Sequence, residues 1–168
     1  MSERTEKYTW CGLTLPEEAS LGTNAQKCYF LDEDGYIFDE APYFSGEVYF
    51  KFYGDVLINA DNPLGAHFLK ENFKQLVFFK NVLLDIGLKP AELYAGNDGD
   101  IEIFLSKGAF AAIKPKIMLK ADSNFQNAAE NLEAALNTEP LQSDLKNKYS
   151  SLLYIDLRFG NKVYYKFR

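Results

Sequence analysis

Residues 151–168, which read SLLYIDLRFGNKVYYKFR, decide the fold. The first half alternates between two sets of side chains, and this period of two predicts a β-strand with one face on a core. One face of the strand carries Leu153, Ile155, Leu157 and Phe159, and the other carries Leu152, Tyr154, Asp156 and Arg158. Gly160 and Asn161 then interrupt the run, and both residue types tolerate the positive φ of a tight hairpin turn.

A second strand follows the turn, with Val163, Tyr165 and Phe167 on one face. We expect this strand to lie at an edge of its sheet, because no later segment of the sequence follows to cover it. A free edge presents a row of unpaired N–H and C=O groups, which can receive a strand from a partner. The alternative is an internal strand with Tyr165 and Phe167 in the core.

The composition indicates a folded, acidic protein. Hydrophobic residues make up 47% of the 168 residues and aromatic residues 15%, which excludes general disorder and suits one domain. The net charge of −6 argues against nucleic acid as a partner, because phosphate binding needs a basic surface. No apolar run approaches the roughly 20 residues that cross a bilayer, and residues 1–7 do not resemble a signal peptide.

Strands and helices alternate along the rest of the chain. Asp34 and Gly35 join two short apolar strands and predict a hairpin turn. Apolar spacing predicts a helix over residues 66–86, and Ser123 and Gln126 have capping-box spacing at the start of another. Pro140 suits the first turn of a third, short helix, whereas Pro115 predicts an edge or bulge.

This order predicts the α+β fold class. We expect a mostly antiparallel or mixed, twisted sheet with two or three helices.

Several of these segments resemble the FtsQ/DivIB family of bacterial cell-division proteins. Residues 154–161, YIDLRFGN, are similar to the closing hairpin of the family, and residues 28–38 are similar to the hairpin that opens its β domain. Residues 1–11 resemble the last strand of the POTRA domain that precedes it. The resemblance therefore implies a truncated POTRA remnant at 1–11 and an FtsQ-type β domain at 12–168.

What the resemblance implies about function is a non-catalytic scaffold. Such proteins recruit small coiled-coil partners, FtsB and FtsL or DivIC, and help to control septal peptidoglycan synthesis. They act at the division septum on the extracytoplasmic face of the cell membrane, anchored there by a segment ahead of the region matched here. No cofactor or metal is implied.

The resemblance also implies where the partner binds. The family's binding surface corresponds to the last strand and the turn before it, which here means Phe159, Gly160, Asn161, Lys162, Val163 and Tyr165. We expect Asp156 and Arg158 to be structural, because they lie two residues apart on one strand face and can join one polar cluster.

The two cysteines allow two interpretations. Cys11 and Cys28 each lie in a strand-like piece, and pairing of these pieces would bring the thiols within disulfide distance. The alternative is two reduced, half-buried thiols. Given the extracytoplasmic location that the resemblance implies, we predict the disulfide. Two cysteines and the single His67 lack the ligand spacing of a zinc site, and we expect His67 to be a surface or capping residue.

An extracytoplasmic enzyme that processes carbohydrate or peptidoglycan is the alternative function. Its acid and base would come from turn carboxylates, namely Asp32, Asp34, Asp98, Asp100 and Glu102. Asp beside Gly is also what turns require, and no nucleophile or metal motif accompanies these residues. A calcium loop around Asp34 fails because Phe30 and Ala41 would occupy its first and twelfth positions.

Overall fold

The computed structural model describes residues 8–15, 27–42, 49–56, 62–106 and 113–168. Within these ranges the chain forms nine strands and three α-helices. In chain order they are β1 (Tyr8–Trp10), β2 (Cys28–Leu31), β3 (Ile37–Ala41), β4 (Phe50–Gly54), α1 (Phe73–Asp85), β5 (Pro90–Ala95), β6 (Asp100–Leu105), β7 (Lys116–Lys120), α2 (Phe125–Leu136), α3 (Leu141–Lys148), β8 (Leu152–Phe159) and β9 (Lys162–Phe167).

All nine strands belong to one mixed sheet, in the order β3-β2-β1-β4-β5-β6-β7-β8-β9. The pairs β1/β4, β4/β5 and β7/β8 are parallel, and the remaining neighbours are antiparallel. The predicted α+β class, with a mixed sheet and three helices, is confirmed.

Two crossovers explain why the helices share one face. α1 connects the parallel strands β4 and β5, and α2 with α3 connects the parallel strands β7 and β8. Each connection joins two parallel strands and moves across the sheet in the direction of β9. Connections between parallel strands of one sheet are almost always right-handed. Two right-handed crossovers that move the same way across a sheet place their helices on the same side.

The main core lies between this face and the helices. It combines Phe79 of α1 and Leu132 of α2 with strand residues such as Phe52, Ile103 and Ile155. A second, smaller cluster on the opposite face contains strand and disulfide residues but no helical ones. We call this opposite face the helix-free face, because none of the described helices covers it.

Helix α1 is shorter than the predicted helix over residues 66–86, because its first residues bond elsewhere. The Ala66 carbonyl accepts the Ile37 N–H at 2.9 Å, and the Phe68 N–H donates to the Gly35 carbonyl at 2.9 Å. Gly35 has a φ of 79°, and a Cβ there would lie 2.5 Å from the Phe68 oxygen. A glycine therefore permits this close approach, and the helix begins only at Phe73.

The other two helices begin near the predicted residues with different caps. The predicted capping box of Ser123 and Gln126 is wrong, because the Asn124 side chain accepts the Asn127 N–H at 3.0 Å. Pro140 is the N-cap of α3 rather than its first residue. Asparagine is among the best N-cap residues, so α2 is capped by Asn124, one position after the predicted Ser123.

The expectation that Pro115 marks an edge or bulge is also wrong. β7 begins after Pro115 and lies inside the sheet between β6 and β8. The Pro115 carbonyl accepts the Leu105 N–H at 2.8 Å, so the residue contributes to the ladder without needing an N–H.

The described part of residues 1–11 is an interior strand of this same sheet. β1 pairs with β2 on one side and with β4 on the other, and Trp10 is buried in the main core. Residues 1–7 lie outside the described residues. The assignment of 1–11 to a POTRA remnant and of 12–168 to an FtsQ-type domain stays a prediction.

Candidate functional site

The carboxy-terminal hairpin is built from β8, the turn at Gly160 and Asn161, and β9. Phe159 pairs with Lys162 across the turn, and of the two turn residues only Gly160 has a positive φ, of 63°. The register shifts between Leu152 and Tyr154 and again between Asp156 and Phe159. β8 thus carries the irregularities, while β9 remains a regular strand.

These register shifts change the faces predicted for β8. Ile155 and Leu157 lie in the main core, but Leu152 joins them in place of Leu153. Phe159 is 55% exposed. The predicted grouping of Leu153 and Phe159 with the core pair is therefore wrong, because each irregularity resets the alternation of side chains.

Among the described strands, β9 lies at an edge of the sheet and pairs only with β8. The Arg168 N–H donates to the Ser151 carbonyl at 2.8 Å, so the backbone of Arg168 points toward β8. Backbone direction alternates along a regular strand, so the N–H and C=O groups of Val163, Tyr165 and Phe167 point outward. Within the described residues these outward groups have no hydrogen-bond partner.

The side chains of β9 divide between the two faces of the sheet. Val163, Tyr165 and Phe167 are half-buried and pack against the main core on the helix side. The alternate residues Lys162 and Tyr164 are exposed on the helix-free face, where Tyr164 lies opposite Asp156. The edge therefore has an apolar side and a cationic, aromatic side.

Exposed aromatic rings lie at the tip of the hairpin. Phe159 and Tyr164 are 55% and 48% exposed, and their ring centroids are 5.6 Å apart in an edge-to-face arrangement. The Arg158 guanidinium lies 5.6 Å from the centre of the Phe159 ring. Exposed aromatic residues beside a free edge offer large contact area to a partner.

Arg158 joins the hairpin to the start of β6. Its Nη2 donates to Asp156 Oδ2 at 2.8 Å, its Nε to Asp156 Oδ1 at 2.9 Å, and its Nη1 to Asp100 Oδ2 at 2.6 Å. Lys120 bonds the other oxygen of Asp100 at 3.2 Å. Arg158, Asp156 and Asp100 are at most about one-quarter exposed, whereas Lys120 is 49% exposed. The Arg158 network is therefore partly shielded from water.

The Arg158 network shifts the acidities of its members. Burial raises the pKa of Asp156, but the side-chain and backbone hydrogen bonds from Arg158 outweigh this, and the net pKa is lowered. The Arg158 hydrogen bond lowers the pKa of Asp100, and the bond to Asp156 raises the pKa of Arg158. The two carboxylates therefore stay ionised. The bonds between Asp156 and Arg158 hold these two side chains against each other on β8.

The six predicted partner-binding residues lie at the end of β8, in the turn and on β9. Phe159, Gly160, Asn161 and Lys162 are exposed, whereas Val163 and Tyr165 are half-buried. The predicted set of six residues leaves out Tyr164 and Phe167, which lie on the same strand. The period of two along β9 indicates both residues. It places Phe167 among the residues whose backbone groups point outward, and Tyr164 on the same face as Lys162.

The disulfide lies in another part of the sheet. Cys11 and Cys28 form a bond with an S–S distance of 2.07 Å, directly after β1 and at the start of β2. Both cysteines are buried, in the cluster on the helix-free face. The described residues contain no free cysteine.

The five candidate catalytic carboxylates all have structural partners. Asp32 accepts the N–H groups of Asp34 and Tyr36, and Asp98 accepts that of Asp100. Asp34 pairs with Lys74, Asp100 with Arg158 and Lys120, and Glu102 with Lys116. The pKa values of Asp34 and Asp100 are lowered, chiefly by hydrogen bonds from Lys74 and Arg158, whereas a general acid needs a raised value.

The metal-site prediction, His67 and membrane-spanning helices can each be compared with the described part of the chain. No group of three or more potential metal ligands occurs there. His67 does not cap α1; it bridges to Tyr36 through the backbone, and the two rings lie 5.1 Å apart. No helix among the described residues has the length and apolar character needed to cross a membrane.

Comparison with protein-family models and with curated proteins returns no match.

Proposed function

We propose that this chain is a non-catalytic scaffold of the FtsQ/DivIB type. It recruits small coiled-coil division proteins, FtsB- and FtsL-like or DivIC-like, by adding a strand of the partner to β9. In this role it helps to control septal peptidoglycan synthesis.

The observation that carries the proposal is the outward row of backbone groups on β9. Val163, Tyr165 and Phe167 present N–H and C=O groups that no described residue uses. Strand addition satisfies such groups, and side chains at alternate positions then give selectivity. The exposed Phe159 and Tyr164 beside the row supply apolar contact area.

Two further observations agree with the proposal. The Cys11–Cys28 disulfide suits an oxidising compartment, as the extracytoplasmic face of the membrane is. A membrane anchor in the full-length protein and a position at the septum follow from the family resemblance alone and belong to the proposal. The bonded state of the turn carboxylates favours a scaffold over a carbohydrate- or peptidoglycan-processing enzyme.

The test uses proline to remove one outward donor. Val163→Pro deletes an N–H that the β8–β9 ladder does not use, and proline is tolerated at such edge positions. Coexpression with the FtsB-like and FtsL-like neighbours, followed by affinity purification, should show binding weakened by about 10- to 100-fold. Circular dichroism should show an unchanged fold.

Two control variants make the result specific. Val163→Ile keeps the donor and should keep the partner. Tyr164→Pro removes an N–H donor that points toward β8, so it should weaken the hairpin and lower the melting temperature of the protein. Unfolding by Val163→Pro, or full binding by that variant, would contradict the proposal.

A further inference from the structure

The carboxy-terminal hairpin has a charge opposite to that of the whole chain. The chain has a net charge of −6, yet residues 156–168 contain four cationic side chains and one carboxylate, Asp156. Arg158 is already bonded to Asp156 and Asp100. Lys162, Lys166 and Arg168 are exposed, and within the described residues they pair with no carboxylate.

The two lysines lie on one face of β9. Alternation places Lys162, Tyr164 and Lys166 on the helix-free face, and Val163, Tyr165 and Phe167 on the helix side. A strand added at this edge would present its own side chains to both sets. Those on the helix side would meet half-buried apolar groups. Those on the helix-free face would meet two ammonium groups that pair with no carboxylate of the described residues.

We infer that the partner strand alternates apolar residues with acidic ones. Its apolar residues complete the burial of Val163, Tyr165 and Phe167, and its carboxylates lie across from Lys162 and Lys166. Opposite charges on adjacent strands stabilise the pairing, whereas like charges oppose it. This inference rests on the proposed function, because it describes the strand that β9 receives.

One register of pairing with a second copy of this chain is unfavourable. Antiparallel pairing of two β9 strands about Tyr164 would set Lys162 of each copy opposite Lys166 of the other. Both positions would then bring like charges together. In this register the basic edge favours an acidic partner over self-association.

The test attaches a candidate strand to the chain itself. Three versions extend the chain after Arg168 by a flexible Gly/Ser linker and a seven-residue strand, in which Val alternates with Glu, Gln or Lys. The linker gives the strand a high effective concentration near β9. We expect the melting temperature to fall in the order Glu, Gln, Lys, with about 2–4 °C between the Glu and Gln versions.

Two controls assign this difference to the lysines. A Lys162→Glu, Lys166→Glu background should reverse the order of the Glu and Lys versions. High salt should narrow the gap between them, because exposed charges are screened. Equal melting temperatures for the three versions, with slowed amide exchange at Val163, Tyr165 and Phe167, would overturn the acidic pattern while leaving strand addition intact.

Two other outcomes have distinct meanings. If no version slows amide exchange at these residues, β9 does not accept a strand, and the proposed function fails together with this inference. If the unextended chain dimerises and its melting temperature rises with protein concentration, the edge belongs to a second copy and the inference is overturned.

Discussion

The two edges of the sheet differ in what their backbone groups bond to. At β3, other parts of the chain satisfy backbone groups of the edge strand. The Ile37 N–H donates to the Ala66 carbonyl, and the Ile37 carbonyl accepts the Gly65 N–H. The Glu40 N–H donates to the Asp39 carboxylate. At β9 the outward groups of Val163 have no comparable bond among the described residues. A protein that shields one edge and leaves the other open has an edge suited to receiving a partner.

The two edges also differ in charge and in reinforcement. β3 carries the exposed Asp39 and Glu40, and the neighbouring strands β1 and β2 are joined by the disulfide. β9 carries exposed lysines, and the ion pair of Arg158 with Asp100 adds a link from its hairpin to β6. A covalent bond therefore stabilises the shielded end, and an ionic network stabilises the open end.

The largest expected effect is at the shielded end. The disulfide closes a loop across a sequence separation of 17, and a Cys11→Ala, Cys28→Ala variant should lose about 3 kcal/mol of unfolding free energy. The melting temperature should fall by about 6–12 °C. Partner binding at β9 should persist below the new melting temperature, because the disulfide lies at the other end of the sheet.

Thiol titration provides the check on the bond itself. Denatured, unreduced protein from an oxidising compartment should show no free thiol, and two should appear after reduction. Two free thiols before reduction would contradict the bridge and the β1–β2 pairing that it accompanies.

The next effect concerns the open end. Arg158→Ala should cost about 2 kcal/mol, because it leaves Asp156, whose side chain is only 7% exposed, without its charged partner. Thermal unfolding measures this. Lys120→Ala is the matched control: it removes the more exposed partner of Asp100 and should cost about 0–1 kcal/mol. A variant of Arg158 with full stability but no partner binding would move this residue into the recognition site.

Stability at the open end should also depend on pH. The folded pKa values of Asp156 and Asp100 are lowered, so their stabilising contribution is complete above the unfolded value of about 3.9. It is lost as the pH falls through the folded values. Asp156→Asn should be less stable than the wild type by about 1 to 2 kcal/mol at pH 7. Denaturant unfolding should show this gap closing as the pH falls from 4 toward 2, and a constant gap would contradict the ionic role.

The smallest effect tests the shield at β3. Asp39→Ala removes the acceptor of the Glu40 N–H and should cost less than about 1 kcal/mol, because both residues are exposed and water can replace the bond. Hydrogen exchange should show faster exchange at the Glu40 amide. Unchanged exchange there would mean that the Asp39 carboxylate does not shield this edge.

Local sequence patterns determined much of the secondary structure. The period of two marked β8 and β9, Gly160 marked their turn, and Asp34 with Gly35 marked the turn between β2 and β3, where Asp32 accepts two backbone N–H groups. These features depend on residues close in sequence, whose backbone preferences and side-chain bonds act locally.

Only the tertiary structure decided the order of the strands and the environment of single residues. β1 lies between β2 and β4, and β7 lies in the interior despite Pro115. Lys51 is 8% exposed, and burial lowers its pKa, which its sequence context did not indicate. Phe159 does not lie on the core face, because β8 shifts its register against β9 before this residue. Pairing and packing between strands set each of these outcomes. A local period carries no information about which strand will lie alongside or where a register will slip.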